Sequence, residues 1–227
     1  MKRELPGGRD RALVIMAKAA RVGHVKTRLA ASLSPEAIIE LYKCLIEDTV
    51  QLARSVTSDA LAIVCPVSDA ADLSAWLPDI EIVAQEGKGL AAGLVSAFRV
   101  FTGRGYRQVV ALDGDSPQIP CQTLEQAFRL LDGSDLVVGP TTDGGYYLLG
   151  ATALQAALFD HHRIGTGGAL DSLVAAARKL NLRLALTETA YDVDEPGDLA
   201  RLSEELDLFP SRAPRTARWL VRGNMPE

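Results

Sequence analysis

Short apolar runs alternate along this chain with segments of helical periodicity, and that alternation constrains the fold more than any other feature. Residues 11–17, 60–65, 80–84, 108–112, 135–139, 146–150 and 183–187 read as strands, rich in Val, Ile, Leu and Ala. Helices are expected between them. Ser34-Pro35-Glu36 opens the first, with a capping hydroxyl, a proline suited to the first turn and an acid near the N-terminus. Ile38, Leu41, Tyr42, Leu45 and Ile46 then recur at helical spacing. Further helices are expected over 90–101, from Pro120 through Leu131, over 170–180 and over 198–206. Such alternation predicts an α/β fold with a mainly parallel sheet. Between the runs at 135–139 and 146–150 there is no room for a crossover helix, so one strand is expected to be reversed.

No linker divides the chain, and a single domain is expected over 11–206. Residues 1–10 read as a flexible leader. Residues 207–227, with Pro210, Pro214 and Pro226 among Arg212, Arg215, Arg218 and Arg222, read as an irregular basic tail that packs Trp219.

At 227 residues with 48% hydrophobic content, the chain can bury a sizeable core. Its net charge of -5 argues against a dedicated nucleic-acid binder. Cys44, Cys65 and Cys121 lack metal-ligand spacing and suit a reduced, cytoplasmic setting. No apolar run reaches bilayer length, and the polar N-terminus does not resemble a signal peptide. Oligomeric state is not encoded in any motif.

Asp113-Gly-Asp115-Ser-Pro117 follows the run at 108–112. Two carboxylates two residues apart on extended backbone lie roughly 6–7 Å from each other on one face. At a strand end they suit a hard divalent cation shared with substrate phosphates. The same five residues are also good turn formers.

The loop after the first run carries Lys18, Arg21, Gly23, Lys26 and Arg28. This is the usual phosphate position in α/β folds, and Arg28 offers a fork of donors while Lys26 offers a mobile point charge. A solvated basic loop is the alternative. Neither a P-loop nor a G-x-G-x-x-G fingerprint is present.

Four motifs together carry a family resemblance. They are Met16-Ala17-Lys18 with Gly23-His-Val-Lys26-Thr27-Arg28-Leu-Ala30; Asp113-Gly-Asp-Ser-Pro117; Gly139-Pro-Thr-Thr-Asp143-Gly144-Gly145-Tyr146-Tyr-Leu-Leu-Gly150; and Asp192-Val-Asp194-Glu-Pro-Gly-Asp198. In this order they resemble the radical-SAM/selenodomain-associated transferase family of the GT-A superfamily, from about residue 13 to 202. The stretch 87–91 lacks that family's usual acid and looks more like phospholactate guanylyltransferase. Arg163-Ile-Gly-Thr166-Gly167-Gly168 replaces the family's Trp-Ser-Thr segment.

The resemblance implies a GT-A-like, Rossmann-like three-layer sandwich and a transferase dependent on Mg²⁺ or Mn²⁺. It implies nucleotide binding by Ala17, Lys18, Gly23, Lys26, Thr27 and Arg28, with Gln85, Gly87 and Gly89 beside the base. Asp115 and Asp194 would hold the metal, with Asp113 a third candidate, and Lys26 and Arg28 would assist the chemistry with Asp115. Asp194 could instead only cap the helix before Pro196. Asp143, Gly144, Gly145, Tyr146, Thr166 and Gly167 would form the acceptor site. One of Tyr146 and Tyr147 should face the cleft, since neighbours on a strand point opposite ways.

Two reactions suit such a site: nucleotidyl transfer from a nucleoside triphosphate to a small phosphorylated acceptor, and glycosyl transfer from a nucleotide-diphospho-sugar. The cationic first loop favours the more highly charged triphosphate. A domain that binds nucleotide without turnover is the remaining alternative. The altered stretches at 87–91 and 163–168 favour it, and the presence of Asp115, Asp143 and Asp194 opposes it.

Overall fold

The computed structural model describes residues 10–159 and 167–222. Its elements, in order, are β1 (Arg11–Met16), α1 (Pro35–Arg54), β2 (Ala60–Cys65), α2 (Ala70–Trp76), β3 (Glu81–Ala84), α3 (Gly89–Gly103), β4 (Gln108–Asp113), α4 (Cys121–Leu130), β5 (Leu136–Pro140), β6 (Tyr146–Ala151), α5 (Ala169–Lys179), β7 (Leu184–Leu186), α6 (Pro196–Leu208) and α7 (Pro214–Val221). Short 3-10 turns at Thr27–Ala31, Val67–Asp69 and Ala156–Phe159 complete it. The first helix starts as its sequence dictates: Ser34 Oγ accepts the Ala37 N–H at 3.2 Å, and Pro35 occupies the first turn.

One seven-stranded sheet runs in the order β3-β2-β1-β4-β6-β5-β7. Only β6 is antiparallel to its neighbours, β4 and β5. This is the reversed strand that the short 140–145 connection requires. The connection closes on itself, with the Thr141 N–H donating to Gly145 O at 3.1 Å.

Strand alternation sorts the core onto two faces. Leu13 and Ile15 of β1 pack with Tyr42 and Ile46 of α1 and with Leu124 and Phe128 of α4. Ala12 and Val14 face Leu94 and Phe98 of α3 and Leu173 and Ala177 of α5. The result is the three-layer α/β sandwich. A third cluster lies on the far side of α1, where Leu41 and Leu45 meet Leu199 and Leu202 of α6 and Trp219 and Leu220 of α7.

The segment expected to be an irregular basic tail thus contains a helix. Pro214 sits in its first turn, and Thr216, Trp219 and Leu220 recur at helical spacing and are buried. Trp219 is packed, as expected, but by a regular element. Helix α2 also departs from the sequence reading; its seven residues bury only Leu73, too little periodicity to see. The expected leader falls outside the described residues except for Asp10, whose N–H donates to Asp59 Oδ2 at 2.8 Å. Among the described residues no helix is long and apolar enough to cross a membrane.

Candidate active site

Strands β1 and β4 are parallel neighbours, with Met16 level with Asp113. From this pair the sheet grows outward in both directions, so the loops after β1 and β4 diverge and leave a crevice at their C-terminal ends. A cavity of about 540 Å³ opens there. The β1 loop, Val64 and Pro66 at the end of β2, Gln85 after β3, Gly89 and Leu90 at the start of α3, and Asp115 and Asp194 line it.

Lys26 is the centre of this site. Its ammonium lies 3.0 Å from Asp115 Oδ2 and 2.9 Å from Asp194 Oδ1. The lysine side chain is 2% exposed, whereas the two acids are 32% and 41% exposed. Burial alone would lower the lysine pKa, but the two carboxylates outweigh it and hold the group charged. The backbone of Lys26 is left-handed, φ 46° and ψ 41°, a conformation that costs a residue with a Cβ roughly 1 kcal/mol or more. The mobile point charge expected from the sequence is therefore a pinned one. Arg28 fits that description better: it is 65% exposed and 3.9 Å from Asp194 Oδ2 and 3.6 Å from Glu195 Oε1.

Asp115 and Asp194 meet because the chain near 191–193 is fastened to the loop after β4. Ser116 Oγ and Gln118 Nε2 donate to Tyr191 O, at 3.1 and 2.9 Å, and the Val193 N–H donates to Asp115 O at 3.3 Å. Asp194 does not cap α6. That place belongs to Glu195, in a reciprocal capping box with Asp198. Gly114 lets α1 approach, since a Cβ there would overlap Ile46 Cδ1. Asp113 lies behind Asp115. Burial first, then the charges of Asp115 and Asp192, raise its pKa well above the usual carboxylate range. Its Oδ2 lies 3.0 Å from Ser116 Oγ and shares that hydroxyl's single proton with Tyr191 O, and its buried Oδ1 has no hydrogen-bond partner among the described residues.

Of the expected nucleotide-binding residues, Ala17, Lys18, Lys26, Thr27, Arg28, Gln85 and Gly89 line the cavity, and Gly23 and Gly87 do not. Both of the latter have positive φ and shape turns. The Gln85 amide closes the second turn by donating to Gly87 O and Gly89 O at 3.2 and 3.1 Å. Arg21 is turned away, bound by Asp72 and Asp69 and donating to Ser68 O at 2.8 Å. Sequence reading passed over Asp69, which also accepts the Ala19 N–H at 2.9 Å and so fixes the loop. It read Tyr42 as core alone, yet the phenol lines the cavity, donating to Lys18 O at 3.1 Å and accepting the Lys18 N–H at 3.0 Å. His24 also lines the cavity. Its place inside the basic loop was the one available signal.

The expected acceptor residues are set apart from that cavity. Asp143 Oδ1 accepts from Thr141 Oγ1 and, at 3.0 Å, from the Gly145 N–H. The Thr141 hydrogen bond leads in holding its pKa below the usual value, helped by the Gly145 N–H and by the charge of Arg28. Gly144 and Gly167 touch backbone to backbone. Tyr147 is buried and bonded through its hydroxyl to Thr187 Oγ1 and Glu188 O, and Tyr146 packs partly buried against the α3–α5 face. Neither tyrosine lines the cavity. Thr166 falls outside the described residues. Asp192, two residues before Asp194 in the closing motif, is half-buried near Asp194, Asp143 and Asp115; burial first and then those charges push its carboxyl up to about 6.

Whether these residues suit a divalent cation can be tested on the donor set itself. Two carboxylate oxygens converge on one point within hydrogen-bonding distance of each, so they are at most roughly 6 Å apart. Among the described residues no group of three His, Cys, Asp or Glu is placed to hold a metal. Two acids without a protein cage fit an Mg²⁺-like ion that takes its remaining ligands from water and substrate phosphates.

The fold is one shared by nucleotide-dependent transferases. The chain belongs to the family described as "Uncharacterized protein conserved in bacteria (DUF2064)", whose pattern matches residues 49–166. A Desulfovibrio desulfuricans G20 protein assigned as a nucleotide-diphospho-sugar transferase is 29% identical, with 94% of each chain covered and a TM-score of 0.85. A Methanothermobacter nucleotidyl transferase has 20% identity, 88% and 100% coverage and a TM-score of 0.60. Rv0371c of Mycobacterium tuberculosis H37Rv, in complex with manganese, has 20% identity, 87% and 99% coverage and a TM-score of 0.55. At such identity the last two speak for the fold alone. No curated protein matches the sequence.

Proposed function

We propose that this chain is a divalent-metal-dependent transferase acting on a nucleotide-activated donor, with residues 11–206 as its catalytic domain. Nucleotidyl transfer from a nucleoside triphosphate to a small phosphorylated acceptor is the reaction we favour. The observation that carries this reading is the convergence of Lys26, Arg28, Asp115 and Asp194 on one cavity at the β1/β4 crevice. The four motifs that resemble the radical-SAM/selenodomain-associated transferases supply these same residues.

In this reading Lys18, Lys26 and Arg28 bind and neutralise the donor phosphates, and the turn at Gln85–Gly89 borders the base. Asp115 and Asp194 hold a divalent cation, which when bound would neutralise phosphate charge. The protein's own part is positioning and electrostatic stabilisation of the leaving group. Asp143 and the glycines beside it receive the acceptor.

A second reading, glycosyl transfer, is favoured by the assignment of the Desulfovibrio protein. A thermal-shift panel separates the two. Nucleoside triphosphates with Mn²⁺ should raise the melting temperature, with pyrophosphate released when a phosphorylated acceptor is added. Protection by nucleotide-diphospho-sugars alone, followed by sugar transfer, would establish the second reading instead.

A further inference from the structure

We infer that the Lys26 ammonium is a built-in counter-ion that takes the place of the metal in the metal-free protein, and that metal and lysine compete for Asp115 and Asp194. The inference rests on the metal assignment proposed above. A cation held by these two acids would draw on the carboxylates that the ammonium already engages, at 3.0 Å from Asp115 Oδ2 and 2.9 Å from Asp194 Oδ1. Without it the two acids would face each other, and also Asp113 and Asp192, with the solvent-exposed Arg28, 3.9 Å from Asp194 Oδ2, as the remaining ion-pair partner among the described residues. The lysine cannot simply withdraw, because its side chain is 2% exposed and a buried ammonium without acceptors is costly. Arriving phosphate oxygens give it replacement acceptors. The donor therefore draws Lys26 off the acids and opens the place for the ion, so donor and metal bind with positive coupling. Lys26 acts twice, as a stand-in cation before binding and as a phosphate ligand after it. Its left-handed backbone fits this, since strain of that kind persists where the surrounding structure over-determines a residue.

The test is Mn²⁺ binding to the full chain without nucleotide, followed by the electron paramagnetic resonance signal of free Mn²⁺. Lys26→Met removes the charge at similar length, and Lys26→Asn removes it with a residue that tolerates the left-handed conformation. Either folded variant should bind Mn²⁺ more tightly than wild type by about tenfold, within the usual span of site coupling. The gain should disappear when Asp115→Asn is added. A gain below about threefold in both variants, or weaker binding, overturns the competition. Failure of every nucleoside triphosphate to protect the wild type would count against the donor reading, while the Mn²⁺ comparison would still decide this one.

Discussion

The carboxylate of Asp48, on α1, caps the first turn of α7 through Thr216. Its Oδ2 accepts the Thr216 N–H at 2.8 Å and the Thr216 hydroxyl at 2.9 Å. The Arg215 N–H donates to the same oxygen at 3.0 Å, and the Arg215 guanidinium reaches Oδ1 at 3.2 Å. Asp48 is completely buried. Asp48→Ala should therefore strand several donors and undock α7. We expect a loss of about 3 kcal/mol, or roughly 6–12 °C in melting temperature for a chain of this size. Limited trypsin digestion should then cut at Arg215 or Arg218 before the sheet is attacked. An unchanged melting temperature would refute this role.

Two glycines with similar backbone angles should respond differently to alanine. At Gly144, φ is +86° and a Cβ would overlap Gly167 O; at Gly23, φ is +74° and the space is open. Gly144→Ala should cost about 3 kcal/mol and Gly23→Ala about 1 kcal/mol in urea unfolding. Equal costs would mean that the 144–167 contact yields easily.

Asp115→Asn should leave the fold intact, with Asp194 still pairing the buried Lys26, yet weaken protection by a triphosphate with Mn²⁺. At a hundredfold excess over Kd a ligand contributes about 2.7 kcal/mol, and a tenfold loss of affinity reduces this to about 1.4 kcal/mol. Thermal shift reads the difference directly. Undiminished protection would remove Asp115 from the metal assignment.

Asp192 makes stability depend on pH in a defined direction. Its carboxyl is raised from an ordinary value of 3.8 to about 6, by burial first and then by Asp194, Asp143 and Asp115. A raised acid contributes stability that is full below the unfolded pKa and lost as pH climbs through the folded one. In EDTA, Asp192→Asn should be more stable than wild type at pH 7.5, by roughly 1–2 kcal/mol after allowing for solvent screening. The advantage should fade toward pH 4. An advantage constant with pH would trace to packing rather than ionisation.

The strands were legible because a central strand must fill two faces at once, which leaves runs such as Leu13-Val-Ile15 with no polar alternative. The position of the candidate site was legible for a related reason, since the loops after β1 and β4 part and leave a crevice in such a sheet whatever their sequence. Pairings across long separations were not. Lys26 and Asp194 are 168 residues apart, and only the folded loop turns a phosphate-seeking lysine inward. Arg21 was misread because Asp69 and Asp72, its partners, lie at the edge of a helix too short to announce itself. Helix α7 was hidden by its prolines and arginines, while Asp48, which organises it, sits 168 residues away from Thr216 on an otherwise ordinary amphipathic helix.

The reversal of β6 bears on how this molecule can be altered. A reversed strand brings its entry turn, residues 141–145, to the sheet edge where the other strands bring their exits. That turn is closed by its own hydrogen bonds, yet it is also tied to distant sequence: the Thr142 N–H donates to Ala190 O at 3.0 Å, and Gly144 O accepts the Leu170 N–H at 3.1 Å. The loops that hold Lys26 and Asp115 are laced to distant sequence in the same way. Recombination should therefore find neither side of the crevice open to simple grafting: a replaced 141–145 turn must keep a glycine at 144 and its seat on the segments at 170 and 190.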